Sequence, residues 1–278
     1  MKMTLILISI ITIFIFSSCT TYRYIYAPAT PNITYFTEKG DSKVGAYYAG
    51  AGGDGNVNSR ADGYDIQGAY AITDHWMVAT SYFNRNEKDK EYDNQTGEQN
   101  IYYKRNIIEL GGGYFTALNE KKTITINLLA SAGSGKFTIN EKGTDPGSTY
   151  NRFYDVKVFK YYFQPSINFR PAKNFSFAFF IKPTFVRYGK FNTDYTADEF
   201  KNYGFQDIYN KTLSFFELGY DLKFSIPGAT WLSIEAAMSG ISRDYIYGTP
   251  LISRSGNAAI GLNVNFAKIP KKNKGKEE

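Results

Sequence analysis

Leu213-Ser214-Phe215-Phe216-Glu217-Leu218-Gly219-Tyr220-Asp221-Leu222-Lys223-Phe224 decides how this chain reads. Phe216, Leu218, Tyr220, Leu222 and Phe224 take alternate positions, and Glu217, Gly219, Asp221 and Lys223 take the others. Successive side chains of a strand point to opposite faces, so the segment predicts a strand with one apolar and one charged face. In a soluble sandwich the apolar face would meet a second sheet. Here the pattern recurs along the chain with no helical period to cover it, which predicts lipid outside and a polar lumen inside. The expected fold is all-β: a transmembrane antiparallel up-and-down β-barrel of about ten strands, with short periplasmic turns and long extracellular loops.

Working outward from that stretch, strands are expected near 42–51, 63–72, 75–85, 104–115, 122–140, 154–170, 174–188, 211–225, 230–243 and 254–267. Ile66, Gly68, Tyr70 and Ile72 oppose Asp65, Gln67, Ala69 and Ala71. Phe159, Tyr161, Phe163, Ile167 and Phe169 oppose Lys160, Gln164, Asn168 and Arg170. Phe175, Phe177, Phe179 and Ile181 oppose Ser176, Lys182 and Thr184, and Ile260, Leu262, Val264 and Phe266 oppose Asn257, Asn263 and Asn265. Thr73-Asp74, Asn119-Glu120-Lys121, Pro171-Ala172-Lys173 and Pro227-Gly228-Ala229 read as short turns. Residues 52–62, 86–103, 141–153, 189–210 and 244–253 read as long polar loops on the other side. An even strand count puts both ends of the barrel on the short-turn side. Pro165 and Pro183 lie inside strands and, lacking an N–H for the ladder, are expected to mark bulges.

The 278 residues suffice for one large domain, and 24 Tyr and 22 Phe suit aromatic girdles. A mean hydropathy of -0.36 argues against a helical membrane protein but not against a barrel, where only alternate residues touch lipid. The formal charge of +6 owes much to Lys2 and to the tail from Lys268; without them 26 basic and 24 acidic residues remain. So balanced a body argues against nucleic acid as a partner. One cysteine, Cys19, rules out an internal disulfide.

Residues 1–18 have a charged start, an apolar run from Leu5 to Phe16 and small residues after it, the layout of a signal peptide. The run is shorter than the roughly 20 residues of a helical span. Phe16-Ser17-Ser18-Cys19 resembles the lipobox of bacterial lipoproteins, with Phe16 in place of the usual Leu. That resemblance implies cleavage before Cys19 and its acylation; ordinary signal cleavage leaving a free thiol is the alternative. Residues 19–41, with Tyr22, Tyr24, Tyr26, Pro28 and Pro31, are then expected to be an extended periplasmic tether. No acidic run follows Cys19, which favours a lipid facing the periplasm. The barrel is expected over 42–267. Residues 268–278, with Lys271, Lys272, Lys274 and Lys276, read as a solvated, disordered basic tail. Gln164-Pro165-Ser166-Ile167-Asn168-Phe169-Arg170 and Tyr70-Ala71-Ile72-Thr73-Asp74-His75-Trp76 resemble segments of the small outer-membrane β-barrel proteins of Bacteroidetes. The likeness covers 42–267 and implies a Gram-negative outer-membrane address. That group includes passive barrels, adhesion barrels and subunits of larger machines, so no single activity follows.

The inward positions collect Asp65, Glu109, Lys160, Lys182, Glu217, Asp221, Lys223 and Glu235, with Arg170. Charges in a narrow interior need partners, so an ion-pair network filling the lumen is expected; a polar path for a small solute is the competing reading. Tyr102, Tyr103, Tyr150, Phe153, Tyr195, Phe200, Tyr203, Phe205, Tyr245 and Tyr247 crowd the long loops. They read either as a contact surface for protein or glycan or as a cap packed on itself. Thr196 to Tyr203 is a candidate short helix. His75, the single histidine, falls on a short turn beside Trp76. The carboxylates Asp194, Asp198 and Glu199, or Glu87, Asp89 and Glu91, are candidates for a two-carboxylate site but read more simply as solvated loop faces. Gly111-Gly112-Gly113 precedes no helix and is expected either to let a bulky neighbour pack close or to bend the strand. No catalytic set, metal-ligand spacing or cofactor motif stands out. The expected role is non-enzymatic: an accessory outer-membrane component that presents its loops to a protein partner, touching lipid on its outer face. A narrow pore or small-ligand carrier, and a loop-sited hydrolase, are the alternatives.

Overall fold

The computed structural model describes residues 22–52, 60–93, 97–145, 148–242 and 248–270. The leader at 1–18, Cys19, the greater part of the basic tail, and Tyr245 and Tyr247 lie outside these residues. Ten antiparallel strands close into one barrel: β2 (Ser42–Gly52), β3 (Arg60–Ala71), β4 (Trp76–Asp93), β5 (Gly97–Ala117), β6 (Ile124–Asp145), β7 (Ser148–Ala172), β8 (Phe175–Thr193), β9 (Thr212–Ile226), β10 (Ala229–Ile241) and β12 (Gly256–Val264). Each strand pairs with its chain neighbours, and β12 closes on β2, with Ile260 opposite Tyr48. A short β1 (Arg23–Tyr26) pairs parallel with β11 (Leu251–Ser253) outside the barrel sheet. Two short helices, α1 (Ala197–Asn202) and α2 (Phe205–Ile208), join β8 to β9.

The alternation drives the wall as expected. Leu110 is 70% exposed, Ile108 60% and Phe224 57%, while Glu109 and Glu217 between such residues are buried inside. On β8 the outward apolar residues run from Phe175 to Phe185. That distance is ~33 Å along the strand, or ~25 Å along the axis at a typical tilt of about 40°. It matches the apolar band of a membrane barrel.

Above that band the pattern inverts on the same strands. On β5, Ile101 and Tyr103 point inward and are buried, while Tyr102 and Lys104 face out. On β6, Phe137 and Ile139 are inside, and Asn140 and Lys142 are outside. Oily residues thus face lipid in the lower wall and a dry interior in the upper wall, where water surrounds the protein. This corrects part of the loop assignment: most of 86–103 and 141–153 is continued strand, and β7 reaches 25 residues against 9 for β12. The wall is tall over β4–β8 and low over β9–β10–β12–β2–β3. Strands β1 and β11 and the helices pack against the tall side in one apolar cluster.

Pro165 and Pro183 do not mark bulges. The β7–β8 register is the same at Tyr162↔Thr184 and Ser166↔Phe180, and Pro183 pairs with Phe216 in step. No paired position falls at 163–165 in the β7–β8 ladder, so the missing N–H groups sit where few donors are needed. At one short turn Pro227 precedes Gly228, whose φ of +82° is the left-handed conformation that a type II turn demands at that place. Gly111 and Gly113 are there for close approach: a Cβ on them would lie 2.5 Å from the Ala130 carbonyl and 2.6 Å from that of Leu128.

Candidate functional site: a threaded lumen and its two ends

The segment expected to be a tether outside the barrel runs inside it. Arg23 to Phe36 is buried throughout. Its upper end pairs with β11 at the long-hairpin end, and its lower end leaves through Thr37 to Asp41 at the short turns, where β2 begins. Ten strands enclose more room than side chains alone fill, and one extended chain takes up the difference.

A buried backbone must have its polar groups paired, and the wall does this from many sides. Gln67 donates to the carbonyls of Thr30 (2.9 Å) and Pro31 (3.2 Å). Lys182 donates to Ala29, Gln164 to Asn32, and Lys43 to Ile33 at 2.8 Å. Asn127 and Asn168 both donate to Thr34. Arg170 donates to Tyr35, Arg105 to Tyr24 and Ile25, and Tyr188 to Ile25 at 2.6 Å. In these contacts the wall supplies donors and the thread supplies carbonyls. Pro28 and Pro31 suit that arrangement, since each removes an N–H that would need its own acceptor. Side chains of the thread key it in place. Tyr26 stacks on Phe215 with centroids 4.0 Å apart and donates to Glu217. The Tyr35 hydroxyl donates to Asp221 at 2.7 Å, and Ile33 packs with Ala178 and Phe180.

Most of the expected lumen residues come together as ion pairs, while Asp221 accepts from the Tyr35 hydroxyl. Lys160 meets Glu109 at 2.8 Å, Lys182 meets Glu217 at 2.8 Å, and Lys223 shares Glu235 with Lys43 at 3.6 and 3.1 Å. Asp65 takes Arg85 at 2.6 Å and the Thr30 N–H of the thread at 2.9 Å. Arg85, Lys43, Arg105, Arg23 and Arg254 were missing from the sequence-based set. Arg254 bridges Glu87 (2.8 Å) and Asp89 (2.9 Å), and Arg105 also binds Glu87, so these two carboxylates are salt-bridged structure. Arg23 pairs with Glu141 at 2.7 Å.

The loop aromatics do not form one exposed surface. Tyr103 is 2% and Phe205 0% exposed, and Tyr195 is buried. Tyr195, Phe200, Tyr203 and Phe205 pack ring against ring and on Tyr154, the cap reading; on the wall Tyr102 is exposed on the outer face, and Phe153, opposite Asn140, is half-buried there. Burial beside Glu141 pushes the Tyr195 hydroxyl well above its ordinary range. α1 forms where expected, with Thr196 and Glu199 in a capping box. Burial works against ionised Glu199, yet the Thr196 backbone N–H and hydroxyl, with Arg152, hold its carboxyl below the usual range. Asp194 accepts from the Phe153 N–H. His75 stacks on Tyr114 at the short-turn rim.

Little empty space remains. A cleft of about 240 Å³ opens at the short-turn end, lined among others by Lys43, Arg170, Lys173, Lys223, Lys268 and Trp231, with no carboxylate among its described lining residues. Among the described residues no cluster has the makings of a metal site.

No protein-family model and no curated protein matches this chain. Among solved structures it is similar to the translocator domain of the autotransporter NalP from Neisseria meningitidis, at 11% identity over 82% of this chain and 89% of that one, with a TM-score of 0.49. The outer-membrane protease OmpT from Escherichia coli is 11% identical over 86% of this chain and 100% of that one, TM-score 0.43. The attachment invasion locus protein Ail of Yersinia pestis is 14% identical over 82% and 99%, TM-score 0.30.

Proposed function

We propose that this chain is a non-conducting barrel of the Gram-negative outer membrane, acylated at Cys19, that serves as a structural or accessory component for a protein partner. The observation that carries this reading is the filled lumen. A barrel whose interior is occupied by its own backbone, hydrogen-bonded from six strands, has its outer wall and its long-hairpin end left for work. The apolar band followed by the inverted, water-facing upper wall supports the membrane address. Of the carboxylates that could have served a hydrolase, Glu87, Asp89 and Glu199 are tied to arginines and Asp194 to a backbone N–H, which favours a non-enzymatic role. Co-purification from native membranes in gentle detergent tests the accessory role. A stoichiometric partner is expected; a barrel recovered alone overturns it.

One observation favours a second reading, a small-anion carrier: the cationic cleft at the short-turn end. Trp231 lines it and would report binding. Saturable quenching by inorganic pyrophosphate, lost in Arg170→Gln/Lys173→Gln, would support that reading.

A further inference from the structure

The thread has a direction. β2 rises from the short-turn end, so the segment before it descends to that end, and its own beginning is at the other. Four contacts fix this upper end. The Arg23 N–H donates to the Pro250 carbonyl at 3.1 Å, and Arg23 lies opposite Leu251 in β11. The Arg23 guanidinium reaches Glu141 near the top of β6 and lies 4.3 Å over the Tyr203 ring. All of these partners belong to the long-hairpin end, and Tyr22 beyond them is exposed.

We infer that the barrel carries its own N-terminal segment up through the lumen and releases it at the long-hairpin face, the outside of the cell in a barrel with periplasmic short turns. The inference turns the expected tether around. It also bears on the acyl group, and there it rests on the acylation proposed above. Cys19 lies four residues before Arg23, a reach of at most ~14 Å. Returning to the inner leaflet would need passage across an apolar band of ~25 Å. An acyl chain on Cys19 is therefore held on the outer-leaflet side.

A membrane-impermeant maleimide on intact cells tests the exit. Tyr22→Cys is the reporter, Lys201→Cys in α1 the outside control and Asp74→Cys the short-turn control; both control positions are exposed. Heat-modifiable migration on gels identifies folded protein. Tyr22→Cys is expected to label with Lys201→Cys on intact cells, while Asp74→Cys labels only after lysis. Labelling of Tyr22→Cys only after lysis, together with Asp74→Cys, overturns the inference. Should Tyr22→Cys label in neither case, an epitope inserted before Tyr22 decides: removal by protease on intact cells supports the outward exit, and removal only after lysis overturns it. The wild-type chain separates this from the acylation reading. A Cys19 thiol that itself labels on intact cells ends acylation and leaves the outward exit standing.

Discussion

Glu217 shows what keeps a carboxylate inside this wall. It is 0% exposed, pairs with Lys182 at 2.8 Å, and accepts from Thr184 at 3.0 Å and from Tyr26 of the thread. Removing one member of such a pair strands the other, at about 3–5 kcal/mol, whereas replacing both by apolar residues of similar volume is often near neutral. Lys182→Met is therefore expected to lower the urea midpoint of the refolded barrel sharply, and Lys182→Met/Glu217→Leu to recover most of the loss. Equal losses in both would show that the pair itself stabilises the fold. The sequence exposed Glu217 and Lys182 as inward residues because parity alone decides that. It hid Arg105 and Arg254, whose carboxylate partners, Glu87 and Asp89, lie in a stretch that reads as polar loop.

At the scale of elements, the ten strands were legible because lipid imposes a period of two that nothing else in the chain mimics. Their upper ends were not. There water replaces lipid, the outward positions become polar and the inward ones apolar, and a run such as 97–106 then loses the outward apolar signal. Thread residues 23–36 were hidden for a different reason. Pro28 and Pro31, with small residues between them, look the same in an exposed linker as in a slot whose donors come from the wall. A signal was nevertheless present in the other strands: Gln67, Asn127, Gln164 and Asn168 are inward amides with no sequence-evident partner, and their donors now serve the thread. The cap has its own test. Thr196→Ala removes half of the capping box and should cost about 1 kcal/mol of local helix stability. Faster amide exchange confined to 197–203 is the expected readout. Because the carboxyl of Glu199 is held below its unfolded value, its contribution is present above the usual carboxylate range and is lost as pH falls through the lowered value.

The whole molecule combines a lipid-facing lower barrel, a water-facing upper wall with its own apolar core, and one chain segment running through both. The thread touches β2, β3, β5, β6, β7 and β8 through their side chains, so it braces the wall as well as closing it. This division of labour accounts for a body of nearly balanced charge with so many interior cations: many of them are spent on carboxylates, and several on thread carbonyls. It also accounts for the small empty volume left in a ten-stranded wall. Conductance in planar bilayers tests the filled lumen most directly, comparing the full chain with one lacking residues 23–36. The account predicts a silent full-length protein and stepwise, ion-carrying openings in the folded deletion; full-length protein that opens in the same steps as the deletion would contradict it.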